Sequence, residues 1–449
     1  MTENKIIKRS SISFLKSQFS NIVKVLITLI NGICLHLFEK QPLINKQTAA
    51  NKIFILGANL VNKGAMAMAL TVVDQIRRNG YTNKIYLMSS KDYNKKNSIG
   101  DKYNFDILPW DINIKLLIIS PLFRFIFRNK KTKKFSDILI DLIREGRFFV
   151  DISGYALSTQ WGLIKSIDYI LNIIISVRFN IDFLILPQSI GPFKYPKKII
   201  LGPLLKLYMK YPKKIYIRER DGIESIKPYA NKNCILSPDI VLMNKSFELS
   251  NIFRKKIKLS KIKLENNPVC VIPNLKIAET LGYKKTVLLY RIIILALIKN
   301  KIKHVYILTH STRDATLSKN IKRTLPSDKN IYIIDKDLNP LELEFIIKQS
   351  DFIIASRYHS IIHAYKNGIP AIIIGWALKY HELALNFNQL QYFYDCRNAI
   401  GLKDLDRVIL EMLKNFKKEK RIIYENLKIF QTNSIFNEIF INLKSIEKP

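Results

Sequence analysis

The stretch of sequence that decides the fold spans residues 352–375 and reads FIIASRYHSIIHAYKNGIPAIIIG. It begins with an apolar run at 352–355, continues through the polar segment 356–360, and then follows a helical pattern to Asn367. Gly and Pro precede a second apolar run at 371–375. Strand, helix, turn and strand in this order predict two parallel strands joined by a helix.

Two side chains of this stretch stand where the first strand ends and the helix begins. They are Arg357 and His359. The start of a helix offers unsatisfied backbone N–H groups, and the carboxyl end of a parallel strand is the usual place for a ligand. A fixed cation and a titratable imidazole at this point predict a site for a small, highly charged anion.

The same alternation of short apolar runs and helical patterns recurs along the chain. Further strands are predicted at 52–57, 84–88, 148–152, 183–186, 215–217, 269–272, 304–308 and 331–334. This alternation predicts an α/β protein with parallel sheets. At 449 residues the chain is long enough for two domains.

A polar, charged stretch from about Asn244 to Asn267 interrupts the alternation and predicts a domain boundary. The predicted segments are a basic, apolar N-terminal arm at 1–48, Rossmann-like domains at 49–250 and 265–402, and a helical segment at 403–449.

The formal net charge of the chain is +37. Such a field attracts an anionic membrane, nucleic acid or phosphorylated substrates. Compositional drift explains it equally well, because Lys, Asn and Ile are abundant throughout. The sequence has no zinc-finger spacing, ribonucleoprotein motif or Arg-rich aromatic strand, so we predict no nucleic-acid partner.

Two apolar stretches, Ile22 to Phe38 and Leu116 to Phe127, have cations beside them. This pattern is typical of helices that lie on an anionic membrane, and it also fits ordinary core helices. The four cysteines lack paired spacing, which indicates a reducing compartment, and we recognise no signal peptide. We therefore predict a cytoplasmic protein. If the two apolar stretches bind a membrane, the predicted position is peripheral, at the inner face of the cell membrane.

Polar residues also follow the strands of the first half. Asn62 and Lys63 lie in a loop of small residues that is either a plain turn or a close approach to a ligand. Asp151 ends the strand at 148–152, where it is either a general base or the cap of the next helix. Carboxylate, amide and aromatic groups together are typical of a sugar site. The other members of this set are Gln160, Trp161, Gln188 and Ser189.

Cationic side chains end two further strands. Arg218 can fork to a carboxylate or phosphate or form a surface ion pair, and Arg220 is an alternative to it. His310 follows the strand at 304–308. His359 and His363 are four residues apart, but without a third ligand of the H-E-x-x-H type they predict no metal site.

Taken in order, these strand-end motifs resemble the polysaccharide pyruvyl transferase family over about residues 50–400. The motifs are Asn-Lys-Gly-Ala at 62–65, Asp-x-Ser-Gly at 151–154, Pro-Gln-Ser-Ile-Gly-Pro at 187–192, Arg-Glu at 218–219, Pro-Asp at 238–239, Ser-Arg-x-His at 356–359, Gly-x-Pro at 368–370, and Lys379.

The resemblance implies a GT-B-like fold with two Rossmann-type, doubly wound domains facing a central cleft. It also implies transfer of pyruvate from phosphoenolpyruvate to a sugar as a cyclic ketal, in cell-surface polysaccharide (exopolysaccharide or capsule) biosynthesis. The domain at 49–250 would be the acceptor side and the domain at 265–402 the donor side. In that family the Arg-x-His motif contacts the donor, which assigns this role to Arg357 and His359.

We accordingly predict catalytic roles for His359, as acid or base, and for Asp151, at the acceptor hydroxyls. Predicted donor-binding residues are Arg357, Arg218, Ser360 through its backbone, His310 and Lys379. Predicted acceptor-binding residues are Asn62, Lys63, Gln160, Trp161, Gln188 and Ser189. The scheme requires no metal or organic cofactor, only phosphoenolpyruvate as donor substrate.

Two other functions fit parts of the pattern. A GT-B glycosyltransferase that uses a nucleotide sugar would share the architecture, although no clear Glu for a ribose follows a strand of the second domain. A non-catalytic membrane-bound scaffold for polysaccharide assembly would explain the basic apolar stretches but not the ordered polar strand ends. A lipid-linked acceptor would fit both the charge and the apolar arm.

Overall fold

The computed structural model describes residues 3–38, 51–95, 99, 101–127, 129–194, 198–230, 233–327, 330–397, 402–436 and 439. The chain forms two compact units. The first unit comprises Met1–Asn59, Asn83–Asp101 and Phe105–Ser237, and the second comprises Leu60–Thr82, Lys102–Asn104 and Pro238–Pro449.

The first unit is built around a seven-stranded sheet with the order β3-β2-β1-β4-β5-β6-β7. Its strands are β1 Lys52–Leu56, β2 Ile85–Met88, β3 Asp106–Leu108, β4 Gly146–Asp151, β5 Asp182–Gln188, β6 Lys214–Ile217 and β7 Cys234–Leu236. All neighbouring strands pair in parallel. The chain starts in the middle of the sheet and winds outward in both directions, which is the doubly wound topology.

Helices surround this sheet. They are Glu3–Phe38, Ser90–Tyr93, Ile112–Ile119, Pro121–Ile126, Lys130–Arg144, Leu163–Arg178, Lys198–Tyr208 and Arg220–Ile226, with a 3₁₀ turn at Thr159–Trp161. The interior strand β5 is buried at every position, as expected for a parallel strand covered on both faces.

The second unit repeats the plan with a six-stranded parallel sheet in the order β10-β9-β8-β11-β12-β13. Its strands are β8 Pro268–Ile272, β9 His304–Leu308, β10 Ile331–Ile334, β11 Phe352–Ala355, β12 Ala371–Gly375 and β13 Phe393–Asp395. The predicted α/β class with two Rossmann-type parallel sheets is therefore confirmed.

The second unit also contains helices. One of them, Lys63–Arg78, lies almost 200 residues before the first strand of this unit, β8 Pro268–Ile272. The helices are Lys63–Arg78, Ile240–Met243, Leu249–Ile252, Ala278–Leu281, Tyr283–Lys299, Ala315–Arg323, Pro340–Ile347, Tyr358–Lys366, Leu378–Asn386 and Leu402–Thr432, with 3₁₀ turns at Leu275–Ile277, Thr312–Asp314 and Leu390–Tyr392. The last helix packs on others of the same unit.

The division into units differs from the predicted bounds of the 49–250 domain in three places. The first unit ends at Ser237, before the charged stretch that we used as the boundary, and both helix Lys63–Arg78 and the segment Lys102–Asn104 belong to the second unit. That helix packs against helices Leu249–Ile252 and Pro340–Ile347 of the second unit. Of the predicted arm at 1–48, the structure describes residues 3–38, as one helix.

A buried carboxylate fastens helix Lys63–Arg78 to the second unit. Asp74 is fully buried. It accepts hydrogen bonds from Asn244 Nδ2 (3.2 Å), Asn251 Nδ2 (2.9 Å) and the Glu248 backbone N–H (3.3 Å), and it pairs with Arg78 Nε at 3.0 Å. A buried charge is stable only with such partners, so this cluster specifies where the helix docks.

We expect Asp74→Asn to lower the free energy of unfolding of the second unit by about 2–3 kcal/mol, because it removes a charge that several buried donors face. Urea denaturation monitored by circular dichroism checks this. The matched control is Asp335→Asn, since Asp335 forms only a partly exposed ion pair with Lys319. Its effect should stay below about 0.5 kcal/mol. Equal effects of the two variants would contradict the anchoring role.

Candidate active site

The end of strand β11 is held in place by three side chains. Asn274 Nδ2 donates to the Ser356 carbonyl at 2.8 Å, and Tyr380 Oη donates to the same oxygen at 2.9 Å. Tyr290 Oη contacts the Ser356 hydroxyl, and all four residues are buried. The next residue, Arg357, therefore leaves a rigid strand end.

Arg357 forms a two-pronged ion pair with Asp314. Its Nε donates to Asp314 Oδ2 at 2.7 Å and its Nη2 donates to Oδ1 at 2.6 Å. Asp314 is fully buried and also accepts from the Leu275 N–H at 2.9 Å, whereas the Arg357 side chain is 26% exposed. A guanidinium has five N–H donors and this pair uses two, so Arg357 is oriented and still able to bind an anion.

The His359 ring is positioned from two sides. Its Nε2 lies 3.6 Å from Oδ2 of the buried Asp239, whose Oδ1 accepts from the Val241 N–H at 3.1 Å. On the other side lies Gly64, where an added Cβ atom would stand 2.2 Å from His359 Nδ1. Only glycine at position 64 leaves room for the imidazole.

Lys63 and Asn62 begin the helix that carries Gly64. Lys63 Nζ pairs with Asp337 Oδ1 at 2.5 Å. Asn62 Oδ1 accepts from the N–H groups of Gly64 (3.1 Å) and Ala65 (3.4 Å), which is an N-cap. The structure places both residues in the second unit, which also holds Arg357 and His359, and their predicted contact with the acceptor stays a prediction.

His310 lies beside His363, with ring centroids 6.4 Å apart. His310 is buried, and within the described part of the chain its Nε2 has no hydrogen-bond partner. Burial lowers the pKa of His310 well below its usual range, and the charges of His363, Arg357, His359 and Lys63 lower it further. His310 is therefore a neutral hydrogen-bonding group at pH 7 rather than a cation.

His363 is engaged elsewhere. It is fully buried and its Nδ1 lies 3.3 Å from Glu344 Oε2. Among the described residues, no group of three or more His, Cys, Asp and Glu side chains is arranged to hold a metal ion.

Lys379 and Ser360 complete the predicted donor set. Lys379 Nζ lies over three aromatic rings, at 4.9 Å from the centroid of Tyr358, 5.4 Å from Trp376 and 5.7 Å from Tyr380. This places the ammonium next to the Arg357–His359 segment. The Ser360 backbone N–H and hydroxyl both donate to the Arg357 carbonyl, at 3.0 and 2.6 Å, so in this structure they close the first helical turn.

In the first unit, Asp151 is fully buried at the end of β4. Its oxygens accept from Gln188 Nε2 (2.9 Å), the Ser153 N–H (3.1 Å) and Ser153 Oγ (3.1 Å). Burial raises the pKa of Asp151, and the hydrogen bonds from Gln188 and Ser153 offset part of that rise. The carboxylate thus ties β4 to β5, and its catalytic role stays a prediction.

Arg218 lies close to these strand ends. It is buried, and its Nη2 donates to the Gly154 carbonyl and to Ser189 Oγ at 3.0 Å. Ser189 Oγ in turn donates to Glu219 Oε1 at 2.7 Å. Arg220, the alternative to Arg218, is exposed at a helix start. Arg218 thus belongs to the first-unit set, and its role in donor binding stays a prediction.

Gln160 and Trp161 are exposed on the turn after β4. The Trp161 ring packs edge-on against Tyr155 at 5.8 Å, which fixes its orientation. An exposed, oriented indole beside an amide is suited to contact a sugar ring.

Each unit therefore gathers one set of side chains at the carboxyl ends of its strands. The first-unit set is Asp151, Gln160, Trp161, Gln188, Ser189 and Arg218. The second-unit set is Lys63, His310, Arg357, His359 and Lys379. We did not predict Asn274, although it lies only two residues after β8 and polar residues that follow a strand were our signal for the other positions.

A profile of the polysaccharide pyruvyl transferase family matches residues 62–377. The chain belongs to this family. It is thus a transferase that acts on polysaccharide, as the resemblance predicted. All the motifs that carried the resemblance lie inside the matched range except Lys379, two residues beyond it. No curated protein matches the sequence.

Solved structures with a similar fold support the GT-B-like assignment. The Anabaena protein HepE in complex with UDP-glucose is 12% identical with a TM-score of 0.51, over 88% of this chain and 99% of that one. The UDP-GlcNAc 2-epimerase of Neisseria meningitidis is 9% identical with a TM-score of 0.51, over 87% and 98%. At this identity the likeness concerns the fold alone.

The buried imidazole predicts a pH dependence of stability. Because the pKa of His310 is lowered in the folded state, the unfolded chain binds a proton that the folded chain does not. Stability from this group is present above the ordinary value of about 6.5 and is lost as the pH falls below it. We expect His310→Gln to lose less free energy of unfolding between about pH 7.5 and pH 5 than the wild type.

Urea denaturation at several pH values measures this slope. The control is His304→Gln, which removes a partly exposed imidazole from the start of β9. Carboxylates titrate in all three proteins, so only the difference between slopes counts. Identical slopes for wild type and His310→Gln would refute the assignment.

Proposed function

We propose that this protein transfers pyruvate from phosphoenolpyruvate to two hydroxyl groups of a saccharide, forming a cyclic ketal in cell-surface polysaccharide synthesis. The observation that carries this proposal is the second-unit set, in which Arg357, Lys63 and Lys379 accompany the fixed His359. A neutral sugar is bound through its hydroxyl groups and does not require three cationic side chains. A donor with two anionic groups does provide partners for them.

The charges of phosphoenolpyruvate match this set. Its carboxylate and phosphate require at least two cationic contacts, and a guanidinium binds either group through two parallel hydrogen bonds. Arg357 is held by Asp314 with its side chain partly open to solvent. Lys63 and Lys379 supply ammonium groups for the other anion, and the neutral His310 adds a hydrogen bond.

The reaction balances without an oxidant or reductant. A proton adds to the methylene carbon of the donor, which becomes the methyl group, while the first sugar oxygen bonds to the neighbouring carbon. The second sugar oxygen then displaces phosphate from that carbon. Two hydroxyl protons are released, and they balance the proton on the methyl group and the charge of the departing phosphate.

His359 is the group that we assign to the proton transfers. Its imidazole is exposed enough to meet a substrate, with 15% of the side chain accessible. The buried Asp239 places a carboxylate oxygen 3.6 Å from His359 Nε2, so the ring faces a fixed negative charge. Asp239 thus acts as a positioning residue.

For the acceptor we propose Trp161 and Gln160, which are exposed on the first unit. Two hydrogen-bonded pairs hold the strand ends of the same unit in place. They are Asp151 with Gln188 and Ser189 with Arg218. We propose that the acceptor is a saccharide, and that it is lipid-linked where the polysaccharide is assembled on a membrane carrier.

We also propose that the protein is cytoplasmic and that its reaction uses no metal or organic cofactor.

A nucleotide sugar is the alternative donor, because HepE has the same fold and was solved with UDP-glucose. Calorimetric titration with phosphoenolpyruvate and with UDP-glucose separates the two. The proposal expects binding of phosphoenolpyruvate and none of UDP-glucose at similar concentration. Binding of UDP-glucose alone would overturn it.

Arg357→Lys tests the donor contact without leaving Asp314 unpaired, because it keeps the positive charge. We expect donor affinity to fall at least about tenfold, since lysine cannot form two parallel hydrogen bonds to the ligand. The matched control is Arg291→Lys, because Arg291 bonds the Thr324 carbonyl elsewhere in the second unit. Unchanged titration of Arg357→Lys with phosphoenolpyruvate would exclude Arg357 from the site.

Gly64→Ala tests the position of His359. The new methyl group would overlap the imidazole, so we expect the ring to move and transfer to fall about a hundredfold or more. The readout is the pyruvyl mass in cell-surface glycan when a strain lacking the gene is complemented with each variant. Gly202→Ala is the control, because a Cβ there meets nothing within 4 Å. Full pyruvylation by Gly64→Ala would contradict the assignment.

A further inference from the structure

The first unit exposes an apolar stripe along helix Glu3–Phe38. The stripe comprises Phe19, Ile22, Leu26, Ile30 and Ile33. Spacings of three and four residues place these side chains on one face of a helix, over about 21 Å of its length. Phe19 is 70% exposed, so this face is not part of the core.

The opposite face of the same helix is fastened to the first unit. Val25, Thr28, Gly32 and Leu35 are buried and also follow helical spacing. Tyr208 Oη donates to the Gly32 carbonyl at 2.6 Å, and a Cβ at Gly32 would stand 2.8 Å from Leu204 Cδ2. The helix therefore packs closely on one side while its apolar stripe faces outward.

A second exposed apolar group lies on helix Pro121–Ile126. Its members are Leu122, Phe125 and Ile126, and Phe125 is 86% exposed. The two helices meet where Asn31 Nδ2 donates to Ser120 Oγ at 3.1 Å, next to the start of the shorter helix. The exposed lysines Lys130, Lys131 and Lys134 follow it in sequence.

We propose that the stripe, the Leu122–Phe125–Ile126 group and these lysines seat the protein on an anionic lipid bilayer. Eight large apolar side chains supply the insertion, and lysines beside them bind acidic headgroups, which is the chemistry of an interfacial helix. The net charge of +37 adds a long-range attraction to the same surface.

The helix lies on the bilayer rather than crossing it. Its window Gln18–Leu35 is long and apolar enough to span a membrane by length and composition, a property shared by core helices and signal sequences. If the helix crossed the bilayer, the buried residues Val25, Thr28, Gly32 and Leu35 would lose their packing on the first unit. The hydrogen bonds that the helix forms with Tyr208 and Ser120 would also break. Lying flat keeps every one of these contacts.

Vesicle flotation of the purified full-length protein tests the proposal. We expect it to float with phosphatidylcholine vesicles that contain about a third of phosphatidylglycerol, and to stay behind with phosphatidylcholine alone. Raising NaCl from about 0.1 M to 0.5 M should weaken binding several-fold. Equal binding to neutral vesicles, or none to either kind, overturns the proposal.

The triple variant Ile22→Gln, Leu26→Gln, Ile30→Gln should bind the anionic vesicles at least about tenfold more weakly. A matched control replaces three exposed apolar side chains of helix Leu402–Thr432, in Leu410→Gln, Tyr424→Gln, Ile429→Gln, and should bind as the wild type does. Wild-type binding by the stripe variant refutes the proposal. A wild-type dimer in light scattering that the stripe variant dissociates would also refute the proposal, because the stripe would then be the interface between two copies of the protein.

Alkaline carbonate should release the protein from cell membranes, and retention in the pellet would mean that the helix spans the bilayer. These assays contain no phosphoenolpyruvate, so their failure leaves the proposed reaction untouched. Titration of the stripe variant with phosphoenolpyruvate should match the wild type.

Discussion

Parallel pairing is the constraint on which both units depend. Every pair of neighbouring strands in the two sheets is parallel, so all strands of a sheet end at the same edge. Strand interiors are buried and admit few polar side chains. The chemistry of each unit is therefore concentrated at the ends of its strands. Asp151 and Gln188 are the last residues of β4 and β5, and His310 and Arg357 follow β9 and β11.

Buried carboxylates convert these strand ends into oriented cation sites. Asp314 and Asp239 are both buried, and each receives a backbone N–H as well as a cationic or titratable partner. Such a carboxylate cannot be left unpaired, so Arg357 and the His359 ring are held before any ligand arrives. Fixing charges in advance avoids reorganisation during a reaction, which is the main electrostatic advantage of an enzyme site.

The long strands and the Arg357–His359 segment could be predicted from sequence because apolar runs and strand-end residues are local signals. Strands β3, β7 and β13 escaped prediction, since each has three residues and partly exposed positions. The docking of helix Lys63–Arg78 depends on Asn244 and Asn251, 170 and 177 residues from Asp74, and no local pattern encodes such contacts. The closeness of Gly64 to His359 was hidden for the same reason.

The net charge of the chain and its exposed apolar surface both bear on the membrane docking that we propose. A helix with apolar residues on two opposite faces invites association in water, because a surface helix normally turns a polar face to solvent. A net charge of +37 opposes self-association through repulsion between like molecules. The same charge attracts an anionic bilayer, where the apolar face loses its contact with water. In the membrane docking that we propose, repulsion between copies and attraction to lipid act in the same direction, because both keep the exposed apolar face from pairing with a second copy.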